Sequence, residues 1–225
     1  WEQVANRSKD SYLGVEKTYT GKRVVLDYSA PNVAKQMHVG HLRTTVIGDS
    51  LGRVLESLGA DVIRQNHVGD WGTQFGMLIQ YLEEHPEQQW TAEELGSAQA
   101  AISAADKIYK TARTQFDVDP EFATRSRERV VKLQTGDEHT VEMWQSLVAE
   151  SESAFADVYS RLGTLLGPQD LDAESSYNEV LPGVAETLEE SGVVVESDGA
   201  LIFRSERHKG PTGEPAVLVV KKSDG

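Results

Sequence analysis

Two short apolar runs set the architecture. RVVLDY, residues 23–28, and DVIRQN, residues 61–66, both read as strands. Between them, after a loop containing Pro31, the residues Leu42, Val46, Ile47, Leu51, Val54, Leu55 and Leu58 recur at three- and four-residue spacing over 39–58, and Gly59 follows. That is an amphipathic helix with a glycine just past its end. A helix of this length suits the crossover that two parallel strands require. The expected fold class is α/β, with a Rossmann-type parallel sheet.

The remainder changes character twice. Gly69, Gly72 and Gly76 break up the turn after the second run, ahead of MLIQYL. Residues 91–166 hold one proline, many alanines and alternating charges, with Ile102, Ile108, Phe116, Val130, Leu133, Trp144, Leu147, Val148 and Phe155 at helical spacing. This predicts a helical insertion packed as a side module. Residues 167–225 return to mixed structure: a helix near Glu179–Glu190, then VVVE, ALIF and AVLVV as strands separated by Gly, Asp and Pro. Trp1, Trp90 and Trp144 are expected at core or edge packing positions.

Composition narrows the function classes. No run approaches the roughly 18 apolar residues of a membrane span, and WEQVANRSKD lacks the basic-then-apolar order of a signal peptide. With no cysteine for disulfides or cysteine-based zinc sites, a cytoplasmic protein without membrane contact is expected. The formal net charge of −14 argues against coating a nucleic acid by charge alone. Residues 21–60 nevertheless carry Lys22, Arg23, Lys35, Arg43 and Arg53 against Asp27, Asp49 and Glu56. Either a locally positive pocket for a compact anion or scatter on a solvated surface accounts for that excess.

The loop between the first run and the helix reads DYSAPNVAKQMHVGH, residues 27–41. His38 and His41 stand three apart at a strand-to-helix junction, where both can project from one side of the helix start. A metal site would need a third ligand, and only His67 lies nearby, so no metal is expected. A phosphate site has a mechanism: unpaired N–H groups and the helix dipole attract an anion, Gly40 lets a nucleotide approach the backbone, and Lys35 with the imidazoles meets developing phosphoryl charge. The plain alternative makes His38 an N-terminal cap and His41 a packed surface residue.

HVGH resembles the first signature of class I aminoacyl-tRNA synthetases. The stretch DYSAPNVAKQMHVGHLRTTVIGDSLGRVLESLGADVIRQNHVGDWGTQFGMLIQYL, residues 27–82, resembles the arginyl-tRNA synthetase family closely. S-x-P-N-x-A-K before the histidines and G-D-W-G-T-Q-F-G after the second strand are far more selective than H-x-G-H alone. AVLVVKKSDG looks like the family's strand leading into the second half of its catalytic domain. On that likeness, residues 1–90 are the first half of a Rossmann catalytic domain, 91–166 a helical insertion, and 167–225 a mixed α/β insertion returning to the catalytic sheet. The domain would be incomplete, since the lysine-rich second signature and a helical anticodon-binding domain are missing from these residues.

The resemblance implies ATP-dependent activation of arginine and its transfer to tRNA. ATP with Mg2+ would be the substrate complex, no cofactor would be tightly bound, and a monomer is expected. Carried over by motif position, His38, His41 and Lys35 are catalytic, and His38, Gly40 and His41 bind ATP. Asp27, Ser29 and Asn32 hold arginine. The family commonly has glutamate at Asp27 and often proline at Gln36. Asp70 and Trp71, in GDWG, belong to the signature and equally suit a packed turn. Two other classes share H-x-G-H: a small nucleotidylyltransferase, whose later S-S-T-x-x-R type signature is absent here, and a non-catalytic paralogue that binds RNA or a partner.

Overall fold

The computed structural model describes residues 1–89, 92–211 and 213–222. Trp90 and the end of KKSDG lie outside the described residues. The elements run α1 (Glu2–Arg7), β1 (Arg23–Asp27), α2 (Val39–Ser57), β2 (Asp61–Gln65), α3 (Thr73–Glu84), α4 (Ala92–Leu95), α5 (Ala98–Val118), α6 (Pro120–Gln134) and α7 (Glu138–Leu162). These belong to one compact unit, Trp1–Ser175. A second, Ser176–Gly225, holds α8 (Leu181–Glu190), β3 (Val195–Ser197), β4 (Ala200–Lys209) and β5 (Pro215–Lys221). No described helix is long and apolar enough to cross a membrane.

In the first unit β1 and β2 pair parallel, with Arg23 opposite Asp61 and Asp27 opposite Gln65, and α2 crosses between them as the spacing requires. The apolar stripe of α2 is not the face it buries. Thr45, Gly48, Asp49 and Gly52 are buried, while Val46, Ile47, Leu51 and Val54 are each about half exposed. Gly48 is required on that face because the Tyr28 side chain packs where its Cβ would be.

The segment expected as a side module is part of the main core. Phe122, Leu133, Phe155 and Tyr159 share one buried cluster with Tyr28, Val33, Phe75 and Ile79. The cause lies in α3, whose residues Phe75–Leu82 are all buried and which therefore needs cover on every side. Two strands cannot give it, so α5, α6 and α7 do. Helix α6 comes in where Gly76 has no side chain, against Val130 and the Ser126 carbonyl. A buried arginine ties the helices together: Arg129 Nε donates to Gln80 Oε1 at 3.0 Å, Nη1 donates to Thr140 Oγ1 at 3.0 Å, and Nη2 lies 3.3 Å from Glu83.

In the second unit AVLVV falls within β5, which pairs antiparallel with β4 rather than with β1 or β2. The described strands form separate sheets ordered β1-β2 and β3-β4-β5. β5 follows β4 directly in the chain, and a strand's sequence neighbour is its nearest antiparallel partner. Trp1 also departs from expectation. It is fully exposed, because α1 buries none of its residues.

Candidate functional site

The start of α2 is built by its two histidines. His38 is the N-cap, with extended backbone, and its Nδ1 accepts from Gly40 N–H at 3.1 Å. His41 Nδ1 reaches back to accept from His38 N–H at 3.2 Å. Each ring satisfies one of the orphan donors that every helix start leaves, an imidazole version of the capping box. Gly40 is needed for this geometry, since a Cβ there would lie 2.9 Å from His38 Cε1 and 3.0 Å from its Nδ1. Burial, then the neighbouring His38, pushes the His41 pKa below 6.5. With both Nδ1 atoms accepting, the neutral rings carry their protons on Nε2. Capping and anion binding are therefore compatible: one ring nitrogen serves the helix and the other stays available as a donor.

The loop ahead of α2 is held under strain. Ser29, Ala30 and Ala34 have φ of 77°, 48° and 59°, left-handed values at residues that are not glycine. Each such residue costs roughly 1–2 kcal/mol and persists only where its surroundings impose it. Here the restraints are specific. Ser29 Oγ pairs with Tyr159 Oη at 2.8 Å, Ala30 N–H donates to Asn66 Oδ1 at 3.0 Å, and Ala34 N–H donates to Ser151 Oγ at 3.0 Å. Asn66 Nδ2 donates to the same Tyr159 oxygen at 3.0 Å. Burial pushes the Tyr159 pKa up, so its hydroxyl stays protonated at neutral pH.

Beyond the strands the two loops continue side by side. Gly69 N–H donates to the Pro31 carbonyl and Val33 N–H to the Gly69 carbonyl, both at 3.0 Å, which bridges Asn32 to Gly69 in parallel. A side chain at Gly69 would collide with the Asn32 amide. In the following turn Asp70 is buried and accepts from Ser175 N–H at 2.8 Å and from Ser175 Oγ at 2.6 Å. Trp71 meets Trp144 edge-on at 5.5 Å, and Trp144 Nε1 donates to the Asp70 carbonyl at 2.7 Å. These contacts give the GDWG turn a packing role.

The residues singled out in the sequence are thus distributed unevenly. His38, Gly40 and His41 form one cluster at the helix start. Asp27 is exposed at the end of β1, and Asn32 is half-buried against Gly69. Ser29 is buried with its hydroxyl turned to Tyr159. Lys35 is held by the helices: its Nζ donates to Gln74 Oε1 at 3.2 Å and sits 4.3 Å above the Tyr109 ring. Among the described residues no group of three or more His, Cys, Asp or Glu could hold a metal. Sequence reasoning missed Asn66, Ser151 and Tyr159. Their signal was faint: polar side chains at 151 and 159 lie two turns apart on the apolar face of a helix.

A parallel β-α-β unit with two imidazoles at its helix start defines the class, an α/β fold with a Rossmann-type parallel pair. The family model described as tRNA synthetases class I (R), catalytic domain, matches residues 4–225, and the chain belongs to that family. It is 55% identical over 225 residues to the arginine–tRNA ligase of Frankia casuarinae, covering 100% of this chain and 38% of the relative. To the arginine–tRNA ligase of Streptomyces avermitilis it is 50% identical over 216 residues, covering 95% of this chain and 36% of that one. Among solved structures, the arginyl-tRNA synthetase of Plasmodium falciparum aligns with a TM-score of 0.71 at 35% identity, over 92% of this chain and 33% of its own. The chain therefore spans between a third and two-fifths of the length of these relatives.

Proposed function

We propose that this chain is the first part of the catalytic domain of an arginine–tRNA ligase, which activates arginine with ATP and transfers it to tRNA. The observation that carries the reading is the pair of capping imidazoles at the start of α2, set in the family's own signature. In the activation step a carboxylate oxygen of arginine attacks the α-phosphorus of ATP, pyrophosphate leaves, and arginyl-adenylate forms. Negative charge grows on the phosphoryl oxygens as this happens. On this reading the Nε2–H groups of His38 and His41 and the positive end of α2 meet it. Lys35 adds positive charge once released from Gln74 and Tyr109. ATP enters as its Mg2+ complex, and no tightly bound cofactor is required.

Arginine is assigned to the adjoining loop. Asp27 and the Asn32 amide offer oxygens to its α-ammonium group, while Ser29 shapes the loop from beneath through Tyr159. Residues 1–90 act as the first half of the catalytic domain, 91–166 as a helical insertion and 167–225 as a mixed insertion. The exposed apolar side chains of α2 suit a sheet that continues in a longer chain. The whole protein works as a cytoplasmic monomer and meets tRNA mainly through other regions.

The decisive experiment is ATP–pyrophosphate exchange by the full-length protein carrying this chain, with each amino acid in turn and with and without tRNA. Arginine alone should support exchange. Exchange with another amino acid, or none under any condition, would refute the proposal.

A further inference from the structure

One face of α7 meets both loops of the site. Trp144, Ser151 and Tyr159 are spaced at seven and eight residues, about two turns apart each time, so all three point the same way. Trp144 bonds the Asp70 carbonyl, Ser151 accepts the Ala34 N–H, and Tyr159 joins Ser29 to Asn66. The far end of the helix is fixed to α2 itself. Asp49 Oδ1 accepts from Leu165 N–H at 2.7 Å, and Arg53 Nη2 donates to the Gly163 carbonyl at 2.7 Å. Helix α7 thus measures the loop against the helix that carries the histidines.

We infer that Tyr159 and Ser151 are positioning residues for loop 29–35, holding Ser29, Ala30 and Ala34 in left-handed backbone so that Asn32 and Lys35 are set in register with the start of α2. The inference rests on the function proposed above. Two of the three strained residues bond α7 directly, and the third bonds Asn66, which Tyr159 itself holds. Packing alone would not need these hydroxyls: the Tyr159 ring already lies in the shared core, and Ser151 already satisfies its own donor on the Leu147 carbonyl at 2.7 Å.

The test uses the full-length protein and two conservative variants, Tyr159→Phe and Ser151→Ala. Crystal structures should show Ser29 and Ala30 leaving the left-handed region in the first, and Ala34 leaving it in the second. In pyrophosphate exchange, kcat/KM for arginine should fall roughly 10- to 100-fold, the scale expected when a binding group is misplaced by about 1 Å. Thermal midpoints should move by only a few degrees. Glycine takes positive φ without strain, so adding Ala30→Gly to Tyr159→Phe should recover part of the lost activity. Retained left-handed φ values, unchanged kinetics, or no recovery from the added glycine would each overturn the inference. If Tyr159→Phe does not fold, Ser151→Ala decides. The φ readout needs no catalysis, so a wild-type protein inactive toward arginine would sink the proposed function while the loop geometry still tested the positioning role of Tyr159 and Ser151.

Discussion

His38 and His41 lie ring against ring, centroids 3.9 Å apart, and each gives its Nδ1 lone pair to a backbone N–H of the turn that carries it. A capping imidazole accepts only while that nitrogen is unprotonated, whereas its Nε2–H can donate in either state, so protonation would cost the cap and not the donor.

The first prediction is a pH dependence. Burial and the facing His38 hold the His41 pKa below its ordinary value of 6.5. The unfolded chain then binds more protons than the folded one in the window beneath 6.5. The stability that neutral His41 contributes is present above that value and is lost as pH falls through its folded pKa. Proton NMR titration of the histidine Cε1–H signals should place His41 below 6.5. A midpoint at or above it would contradict the capping geometry.

Removing an imidazole should slow activation more than it weakens ATP binding, because the charge these rings meet develops in the transition state. In the full-length protein His38→Ala and His41→Ala should each lower the exchange rate by about 10²-fold or more. Gly40→Ala should do the same by another route, since its Cβ would drive the His38 ring off its cap. Losing that cap costs roughly 0.5–2 kcal/mol of stability. An effect confined to KM for ATP would mean that the rings hold only ground-state nucleotide.

Arginine binding should depend on Asn32. Asn32→Ala removes one acceptor for the α-ammonium group, a loss of about 1.5–3 kcal/mol, or roughly 10- to 150-fold in affinity. Gly69→Ala should weaken arginine in the same direction without altering any polar group, by pushing the Asn32 amide aside. Calorimetric titration of the full-length variants with arginine measures both. Parental affinity in Asn32→Ala would make this a loop-shaping residue.

The helical core has its own test. Arg129→Met keeps much of the stem but removes the positive charge facing Glu83 and the N–H groups that Gln80 Oε1 and Thr140 Oγ1 accept. Urea unfolding should report a loss of roughly 2–4 kcal/mol, since a buried charged donor is removed from partners left in place. A change under 1 kcal/mol would show that water replaces the guanidinium freely.

What the sequence determined by itself is local. The two strands follow from short apolar runs, the crossover helix from a side-chain period of 3.6, and the helix start from a signature of fifteen residues, because runs, periodicity and capping act over a few positions. Tertiary structure decided the rest. Ser29 and Tyr159 are 130 residues apart, and their bond exists only because α7 docks at one angle and register. No local pattern encodes that. The same holds for α2, whose apolar stripe is plain in the sequence while the buried face is the one with Gly48 and Gly52. Which face is covered depends on what packs against it, and at Gly48 that is the Tyr28 side chain, which leaves no room for a Cβ.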